Sequence, residues 1–191
     1  MKLTVAKAAL VALVGKNMLN QVVYELNEIG IRAVFGAPND CFINGVAIKN
    51  GELIVDRSCS ISNLLHEAGH LAVLPKEYRK QASGDLGDVL RKMYREIDCS
   101  KEENRRYMQC EDAEATAWAY AFGLRCGVPF DLIIDDEQYD GTGRDVLESL
   151  ALGSGLGVNG LSRMGWCASG IIHSKASGLP MYPNLIKWVN D

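Results

Sequence analysis

Residues 64–75 of the chain read Leu64-Leu65-His66-Glu67-Ala68-Gly69-His70-Leu71-Ala72-Val73-Leu74-Pro75. His66 and His70 are four residues apart, which on a helix is about 40° of rotation and roughly one turn of rise, so both imidazoles leave the same face. Two neutral imidazoles at this spacing can share one divalent cation, and zinc is the usual one. The stretch therefore predicts a helix that carries a metal site.

Glu67 is the third polar residue of this stretch. It lies about 100° round the helix from His66, beside the expected metal but not directed at it. A general base that takes a proton from a metal-bound water is needed at that position. The apolar flanks predict a buried helix, where a bound cation would offset the desolvation cost of the polar side chains.

The alternative is that these histidines are only solvated or hydrogen-bonded, because a motif with three fixed positions also occurs by chance. Only three histidines occur in the chain, however, and two of them form the motif. The helix context also agrees, since Ser60 or Ser62 can cap its start and Pro75 stops it. We therefore favour the metal site.

A catalytic zinc normally has three protein ligands and a water, so a third ligand must come from elsewhere in the chain. Residues 110–122 predict an alanine-rich helix on which Glu114 shares the buried stripe with Ala117 and Ala121, and a buried carboxylate needs a partner. We expect Glu114 to be the third ligand. The alternatives are Glu111, which could also be an outer partner of an imidazole, and, with less context, His173 or a cysteine such as Cys110.

Composition predicts a globular protein rather than a nucleic-acid-binding or membrane protein. The 191 residues are 48% hydrophobic and 23% charged, and the net charge is −4, which gives no general attraction to nucleic acid or acidic membranes. The six cysteines show no CxxC spacing, which favours reduced thiols in the cytoplasm. We expect a single domain over 1–191 with no clear internal boundary, no membrane span and no direct nucleic acid binding; the oligomeric state cannot be predicted.

Hydrophobic periodicity and turn residues predict an α+β fold. We expect an N-terminal helix, a small, mostly antiparallel sheet with a β-hairpin at Asn50-Gly51, the zincin-like histidine helix packed on a second, Glu-bearing helix, and a helical C-terminal part. The predicted helices outside the two site helices cover residues 10–29, 86–97, 144–152, 159–166 and 184–189, and the predicted strands cover 31–35, 42–48 and 52–55.

Two segments together resemble a known family. His66-Glu67-Ala68-Gly69-His70, followed by Glu111-Asp112-Ala113-Glu114-Ala115-Thr116-Ala117-Trp118-Ala119, is similar to the HExGH and E-x-x-E-A-x-x-[aromatic]-A helices of the ImmA/IrrE metallopeptidases, which are bacterial and phage-borne. The resemblance covers residues 46–123. It implies zinc ligands His66, His70 and Glu114, with Glu67 as the catalytic base. The interval between His70 and Glu114 is longer than is usual in the family, which implies an inserted helix around 85–105.

The resemblance implies a zinc endopeptidase that hydrolyses a peptide bond in a protein substrate, with a helix-turn-helix transcriptional repressor as the candidate. Zinc would lower the pKa of its bound water and polarise the scissile carbonyl, and Glu67 would carry the proton to the leaving amine. Tyr139, Tyr107 and His173 are candidate donors to the oxyanion, with a structural role as the alternative for each. The competing function is a non-enzymatic interaction or regulatory protein whose metal is structural or vestigial.

Overall fold

The computed structural model describes residues 15, 17–39, 41, 43–98, 100, 101, 104 and 106–191. The predicted N-terminal helix is observed as helix α1 over residues 17–28, and the part of that prediction before residue 15 lies outside the described residues. Val22 and Leu26, four residues apart on one face of α1, are completely buried in the core. Gly30 ends the helix with a left-handed backbone at φ 89°.

The sheet has three strands in the described part of the chain: β1 (Ala33–Phe35), β2 (Val46–Lys49) and β3 (Glu52–Val55), in the order β1-β3-β2. The predicted hairpin is confirmed, because β2 and β3 pair antiparallel around Asn50 and Gly51, both with positive φ. The start of the strand predicted over 42–48 includes residue 42, which lies outside the described residues. Since β1 pairs parallel to β3, the sheet is mixed, with one antiparallel and one parallel pair.

The histidine helix α2 spans Ile61–Val73, as predicted. Its N-cap is Ser60, whose hydroxyl accepts the Asn63 backbone N–H at 3.1 Å. Leu74, in an extended conformation, and then Pro75 follow the last turn. The helix packs on β2 and β3 on one side and on the second site helix on the other, so almost every residue along it is buried.

Helices α3 (Lys76–Arg79) and α4 (Gly87–Glu96) follow α2 in the described part of the chain. Helix α4 confirms the helix predicted over 86–97. The later part of the insertion predicted around 85–105 includes residues 99, 102, 103 and 105, which lie outside the described residues. A 3₁₀ turn at Arg106–Met108 precedes the second site helix.

The second site helix, α5, spans Asp112–Arg125, and the helices after it are α6 (Gln138–Gly141), α7 (Gly143–Ala151), α8 (Leu156–Arg163) and α9 (Ile171–Ser177). The prediction over 144–152 agrees with α7, and α8 begins three residues before the predicted 159. Helix α9 was not predicted.

Helix α5 is held closely between α2 and α8 by two glycines. A Cβ on Gly69 of α2 would lie 2.3 Å from the Ala115 carbonyl oxygen, and a Cβ on Gly157 of α8 would lie 1.8 Å from the Ala113 carbonyl oxygen. Both obstacles are backbone atoms of α5, which cannot rotate away. Only glycine therefore allows the two neighbours to approach α5 this closely.

The helix predicted over 184–189 is wrong, since this segment is irregular and contains only bends. The backbone in and next to this segment forms hydrogen bonds with distant helices. The Trp118 indole N–H donates to the Trp188 carbonyl at 3.0 Å, and the Asn190 N–H donates to the Ala72 carbonyl at 2.9 Å. The segment thereby ties α2 and α5 together. No helix in the described part of the chain is long and apolar enough to cross a membrane.

Candidate metal centre

Three potential metal ligands meet where α2 faces the first turn of α5. The His66 and His70 Nε2 atoms are 3.2 Å apart, and each lies 3.3 Å from the Asp112 Oδ1 atom. The two rings are nearly perpendicular, at 86°. Among the described residues, these side chains form the group of histidine, cysteine and acidic residues that could hold a metal ion.

The triangle has the dimensions of a zinc site. Ligand atoms around a tetrahedral zinc with bonds of about 2.0–2.1 Å are about 3.3–3.4 Å apart, which matches the three measured edges. Contacts with His66 and then His70 hold the pKa of Asp112 well below its usual range, so the carboxyl is ionised, as a metal ligand must be. The residues therefore fit a tetrahedral divalent metal ion, such as zinc, in both spacing and chemistry.

The outer nitrogen of His66 is fixed by a chain of hydrogen bonds. Thr116 Oγ1 donates to the Asp112 carbonyl at 2.8 Å, and the Tyr139 hydroxyl lies 2.6 Å from Thr116 Oγ1 and 3.2 Å from His66 Nδ1. Because a carbonyl can only accept, Thr116 has no proton left for Tyr139, so Tyr139 donates to Thr116 and accepts from His66 Nδ1–H.

The direction of these hydrogen bonds determines which tautomer of His66 is present. With the proton on Nδ1, the Nε2 atom of the neutral ring carries the lone pair that a metal needs. Burial raises the pKa of Tyr139 to about 12, so its hydroxyl keeps the proton at neutral pH. The lone pair of Nε2 points towards the Asp112 carboxylate and the second imidazole, and a shared cation would relieve the repulsion.

Tyr139 is held behind His66 by its neighbour in sequence. The Gln138 side chain accepts from the Ser62 hydroxyl at 2.7 Å and donates to the Asn63 side chain at 3.1 Å, so the first turn of α2 anchors α6, whose two middle residues are not helical. Tyr139 and Asp140 have φ of 55° and 58°, the left-handed region that non-glycine residues rarely adopt. Such strain persists where the surroundings enforce it, commonly at functional sites.

Glu67 lies on the other side of the triangle, where the structure places it as the sequence predicts, beside the histidines. The residue is only 5% exposed and borders a cavity of about 240 Å³. Burial raises the pKa of Glu67, the two imidazoles oppose this effect, and the Asp112 charge adds to it. The cavity is lined by Glu67, His70, Gly84, Asp85, Leu86, Gly87, Leu90, Glu111 and Asp112.

His70 differs from His66 in its outer nitrogen. The Nδ1 atom of His70 is buried and has no hydrogen-bond partner among the described residues. A buried polar atom without a partner is costly, and the Nδ1 atom of His66 avoids this cost through its bond to Tyr139. Tyr139 therefore orients one imidazole only.

The structure does not bring Glu114, the expected third ligand, to the two imidazoles. Its carboxylate turns back on its own helix and accepts the Glu111 backbone N–H at 3.2 Å. The partner that this buried carboxylate requires is thus an N-terminal amide of α5, where the helix dipole favours negative charge. The alternative ligand Glu111 is engaged as well, because its carboxylate accepts the Tyr94 hydroxyl.

The other two candidate ligands also lie elsewhere. His173 Nδ1 lies 3.1 Å from the Ser162 hydroxyl, between α9 and α8. The Cys110 thiol contacts the Val73 carbonyl at 3.2 Å, and burial raises its pKa to about 12. Neither side chain belongs to the group of potential ligands at the two imidazoles.

The candidate oxyanion donors are separated in the same way. The side chain of His173, which is in α9, contacts Ser162 of α8, and Tyr107 lies in the 3₁₀ turn before α5. Tyr139 is at the site, but its hydroxyl contacts the outer nitrogen of His66. That is the place of a ligand-orienting residue rather than of a donor to the substrate.

Asp112 is the site residue that sequence reasoning missed. It is the first residue of α5 and its side chain is 64% exposed, so a search along the buried stripe passes over it. Ala115, three residues later, is on the same face of α5 as Asp112, but no local sequence signal marks this face as the one that meets α2. Ala115 is the residue against which Gly69 packs, so this face of α5 is the one that meets the histidine helix.

A second cavity, of about 500 Å³, opens on the Tyr139 side of Asp112. It lies between the first turns of α5, helix α7 and the N-terminus of α8. Its lining is Asp112, Ala113, Thr116, Tyr139, Asp145, Val146, Ser149, Leu150, Ser154, Gly155, Leu156 and Gly157. Asp112 thus stands between two cavities, one bordered by carboxylates and one bordered mainly by carbon.

Comparison with known proteins adds no relative. No protein-family model, no curated protein and no solved structure matches the chain. The site therefore has to be interpreted from its own geometry, which is that of two imidazoles and one carboxylate at the spacing of a tetrahedral metal site, with a buried acid beside them.

Proposed function

We propose that this chain is a zinc-dependent peptidase in which His66, His70 and Asp112 hold the metal and Glu67 is the general base. The triangle of ligand atoms, with edges of 3.2–3.3 Å, carries the proposal. Three protein ligands leave a fourth position open, which is the arrangement of catalytic rather than structural zinc sites. When bound, zinc supplies a Lewis acid that polarises a peptide carbonyl and acidifies water.

The residues of the chain divide the remaining work. Glu67, whose raised pKa brings it nearer to neutral pH, takes a proton from the attacking water and gives it to the leaving amine. Asp112 stays ionised and neutralises part of the metal charge. Tyr139 and Thr116 hold the His66 ring in the tautomer and orientation that expose Nε2 to the metal.

The proposed substrate class rests on the sequence resemblance to the ImmA/IrrE metallopeptidases. A histidine helix, then a second helix that brings a carboxylate to it, supports membership of the ImmA/IrrE metallopeptidases, with Asp112 in the place expected for Glu114. We extend the proposal accordingly to an endopeptidase that cleaves a peptide bond in a protein substrate, with a helix-turn-helix repressor as the candidate. The insertion that contains α4 contributes Gly87 and Leu90 to the wall of the Glu67 cavity, so it would contact the substrate.

The experiment that tests this function compares zinc-loaded parent chain with the Glu67→Gln variant. Both are incubated with a library of peptides derived from a bacterial proteome, and new termini are identified by mass spectrometry. We expect zinc-dependent cleavage by the parent and a loss of about 10²–10⁴-fold in the variant, the usual contribution of a general base, at unchanged zinc content.

The matched control is Glu111→Gln, which removes another carboxylate from the same cavity. Because Glu111 is bonded to Tyr94 and has no role in proton transfer, this variant should keep most of the turnover. Equal cleavage by the parent and Glu67→Gln would contradict the proposed base. Zinc binding with no cleavage of any library peptide by the parent would favour a non-enzymatic protein with a structural metal.

A further inference from the structure

The cavity on the Tyr139 side of Asp112, here named the α7–α8 pocket, shares Asp112, Thr116 and Tyr139 with the metal centre, but the roles described above leave its interior unused. Its volume of about 500 Å³ falls within the range of about 300–1,000 Å³ that is typical of ligand sites. The pocket is large enough for a bulky side chain and adjoins the metal triangle, because Asp112 lines the pocket and Tyr139 lines the pocket and contacts His66.

The walls of the α7–α8 pocket are built to face an apolar group. Val146 and Leu150 of α7, Ala113 of α5 and Leu156 of α8 supply carbon surface. Leu156 is nonetheless 81% exposed. A leucine that lies at the mouth of a pocket and is open to solvent gains from covering by an apolar ligand.

The shape of the pocket is fixed by backbone packing. Gly157 allows α8 to approach α5 so closely that a Cβ there would lie 2.9 Å from the Ala117 Cβ, in addition to its clash with Ala113. The Ser154 backbone and hydroxyl both donate to the Ser149 carbonyl, at 3.0 and 2.9 Å, which ties the turn before α8 to the end of α7. The pocket is thus preformed, which lowers the entropic cost of binding.

Charge excludes one class of occupant. The pocket carries carboxylates at Asp112 and Asp145, which repel an acidic side chain. The cavity on the opposite side is about half as large and is bordered by Glu67, Glu111 and Asp85, so it is a poor place for an apolar group. A peptide that lies across Asp112 therefore finds its apolar binding site on the Tyr139 side only.

We infer that the α7–α8 pocket binds a large apolar side chain of the substrate, of leucine, methionine or phenylalanine type, next to the peptide bond that is cleaved. This inference rests on the proposed peptidase function and adds its specificity. Burying three or more additional carbon atoms favours binding by at least about tenfold at the usual free energy per buried methylene. The pocket would select the register in which an extended chain crosses the metal.

The test uses hydroxamic acids, which bind zinc through their head group and differ in their tails. Binding of acetohydroxamic acid and of its isobutyl, benzyl, carboxymethyl and aminobutyl analogues to the zinc-loaded chain is measured by calorimetry. We expect the isobutyl and benzyl compounds to bind at least about tenfold more tightly than acetohydroxamic acid, and the carboxymethyl compound to bind more weakly. This comparison needs no variant, so it does not depend on the folding of a mutant.

Two tryptophan substitutions then locate the tail. Ser149→Trp places a large ring on an exposed position of the pocket wall and should abolish the advantage of the apolar tails while acetohydroxamic acid still binds. The matched control is Leu152→Trp, close in sequence but outside the lining and 85% exposed; it should leave all affinities unchanged.

The outcomes distinguish a failure of the pocket inference from a failure of the proposed zinc site. If acetohydroxamic acid binds and the apolar tails add nothing, or if the aminobutyl tail binds most tightly, the pocket inference is overturned and the zinc site stands. If the tails gain affinity equally in the parent and in Ser149→Trp, the apolar site lies elsewhere and the inference is again overturned. If the chain takes up no zinc, the proposed function fails and the inference fails with it.

Discussion

The two cavities that meet at Asp112 differ in size and chemistry. The Glu67 side is about 240 Å³ and contains carboxylates from α2, α5 and the segment before α4. The Tyr139 side is about 500 Å³ and is lined mainly by carbon from α5, α7 and α8. The two imidazoles also differ from each other. The Nδ1 atom of His66 is hydrogen-bonded to Tyr139, whereas the Nδ1 atom of His70 has no hydrogen-bond partner among the described residues.

In the proposed peptidase, the two sides have different tasks. Proton transfer needs a buried acid whose pKa has been moved towards neutrality, and that acid is on the smaller, polar side. Orientation of a ligand and recognition of a side chain need a rigid, preformed surface, and that surface is on the larger side. The first change below acts on the contact between α2 and α5, which both sides share, and the later changes act on one side each.

Gly69→Ala, which changes the contact between the two site helices, should have a larger effect on stability than the changes that follow. The new Cβ would lie 2.3 Å from a carbonyl oxygen of α5, so the two site helices must separate. Overpacking of this kind against backbone should lower the free energy of unfolding by about 3 kcal/mol or more, which is roughly 6–12 °C in Tm for a chain of this size. Zinc affinity should fall in parallel, since Asp112 moves with α5.

The matched control for this variant is Gly170→Ala. Gly170 has an extended backbone with φ of −178°, and no atom lies within 4 Å of a Cβ placed there. Its stability should change by no more than the roughly 0.5 kcal/mol typical of surface substitutions. Thermal unfolding that is the same for both alanine variants would show that the close approach of α2 and α5 is not required.

Tyr139→Phe tests the larger side alone. Loss of the hydroxyl removes the acceptor for His66 Nδ1–H, and removal of such an outer partner commonly lowers metal affinity by about 10–100-fold. Calorimetric titration with zinc measures this directly. Tyr120→Phe, a buried tyrosine of α5 whose ring stacks on Tyr182, is the control and should leave zinc affinity unchanged. An unaltered zinc affinity in Tyr139→Phe would show that the Tyr139 hydroxyl does not contribute to metal binding.

The smallest effect concerns Glu67 and pH in the metal-free protein. Because burial raises the pKa of Glu67 in the folded state, the folded state binds the proton more tightly than the unfolded state. Its contribution to stability is therefore present at low pH and is lost as pH rises through the folded pKa. Glu67→Gln should leave stability near pH 4 almost unchanged and raise it by about 1 kcal/mol at about pH 7.5, a typical single-site effect.

Urea unfolding at the two pH values, with a chelator present, measures this difference. Glu28→Gln, at an exposed position of α1, provides the comparison and should show no gain that depends on pH. A gain of equal size in both glutamine variants would indicate a general charge effect rather than the burial of Glu67.

Much of the framework could be predicted from local sequence. Asn50-Gly51 determines the hairpin through its positive φ values, and Ser60 and Pro75 mark the ends of α2 within one or two residues. These signals act between near neighbours in the chain. The segment over 184–189 could not be predicted in this way, because its conformation is determined by contacts with distant helices, such as the bond from Trp118.

The site divides along the same line. His66, Glu67 and His70 are close in sequence, and a single helical turn brings them together. The choice between Asp112 and Glu114 depends on which face of α5 meets α2, which is set by the contact of Gly69 with Ala115 across 46 positions. The rule that a buried carboxylate needs a partner was correct for Glu114, but the partner is an amide at the start of its own helix.

The central claim is that His66, His70 and Asp112 form one zinc site, and zinc titration of the metal-free chain by calorimetry tests it most directly. We predict one zinc per chain, a loss of affinity of about a hundredfold or more in Asp112→Asn, above the usual effect of an outer partner, and little change in Glu114→Gln. A parent chain that binds no zinc, or an affinity lost in Glu114→Gln and retained in Asp112→Asn, would contradict the claim.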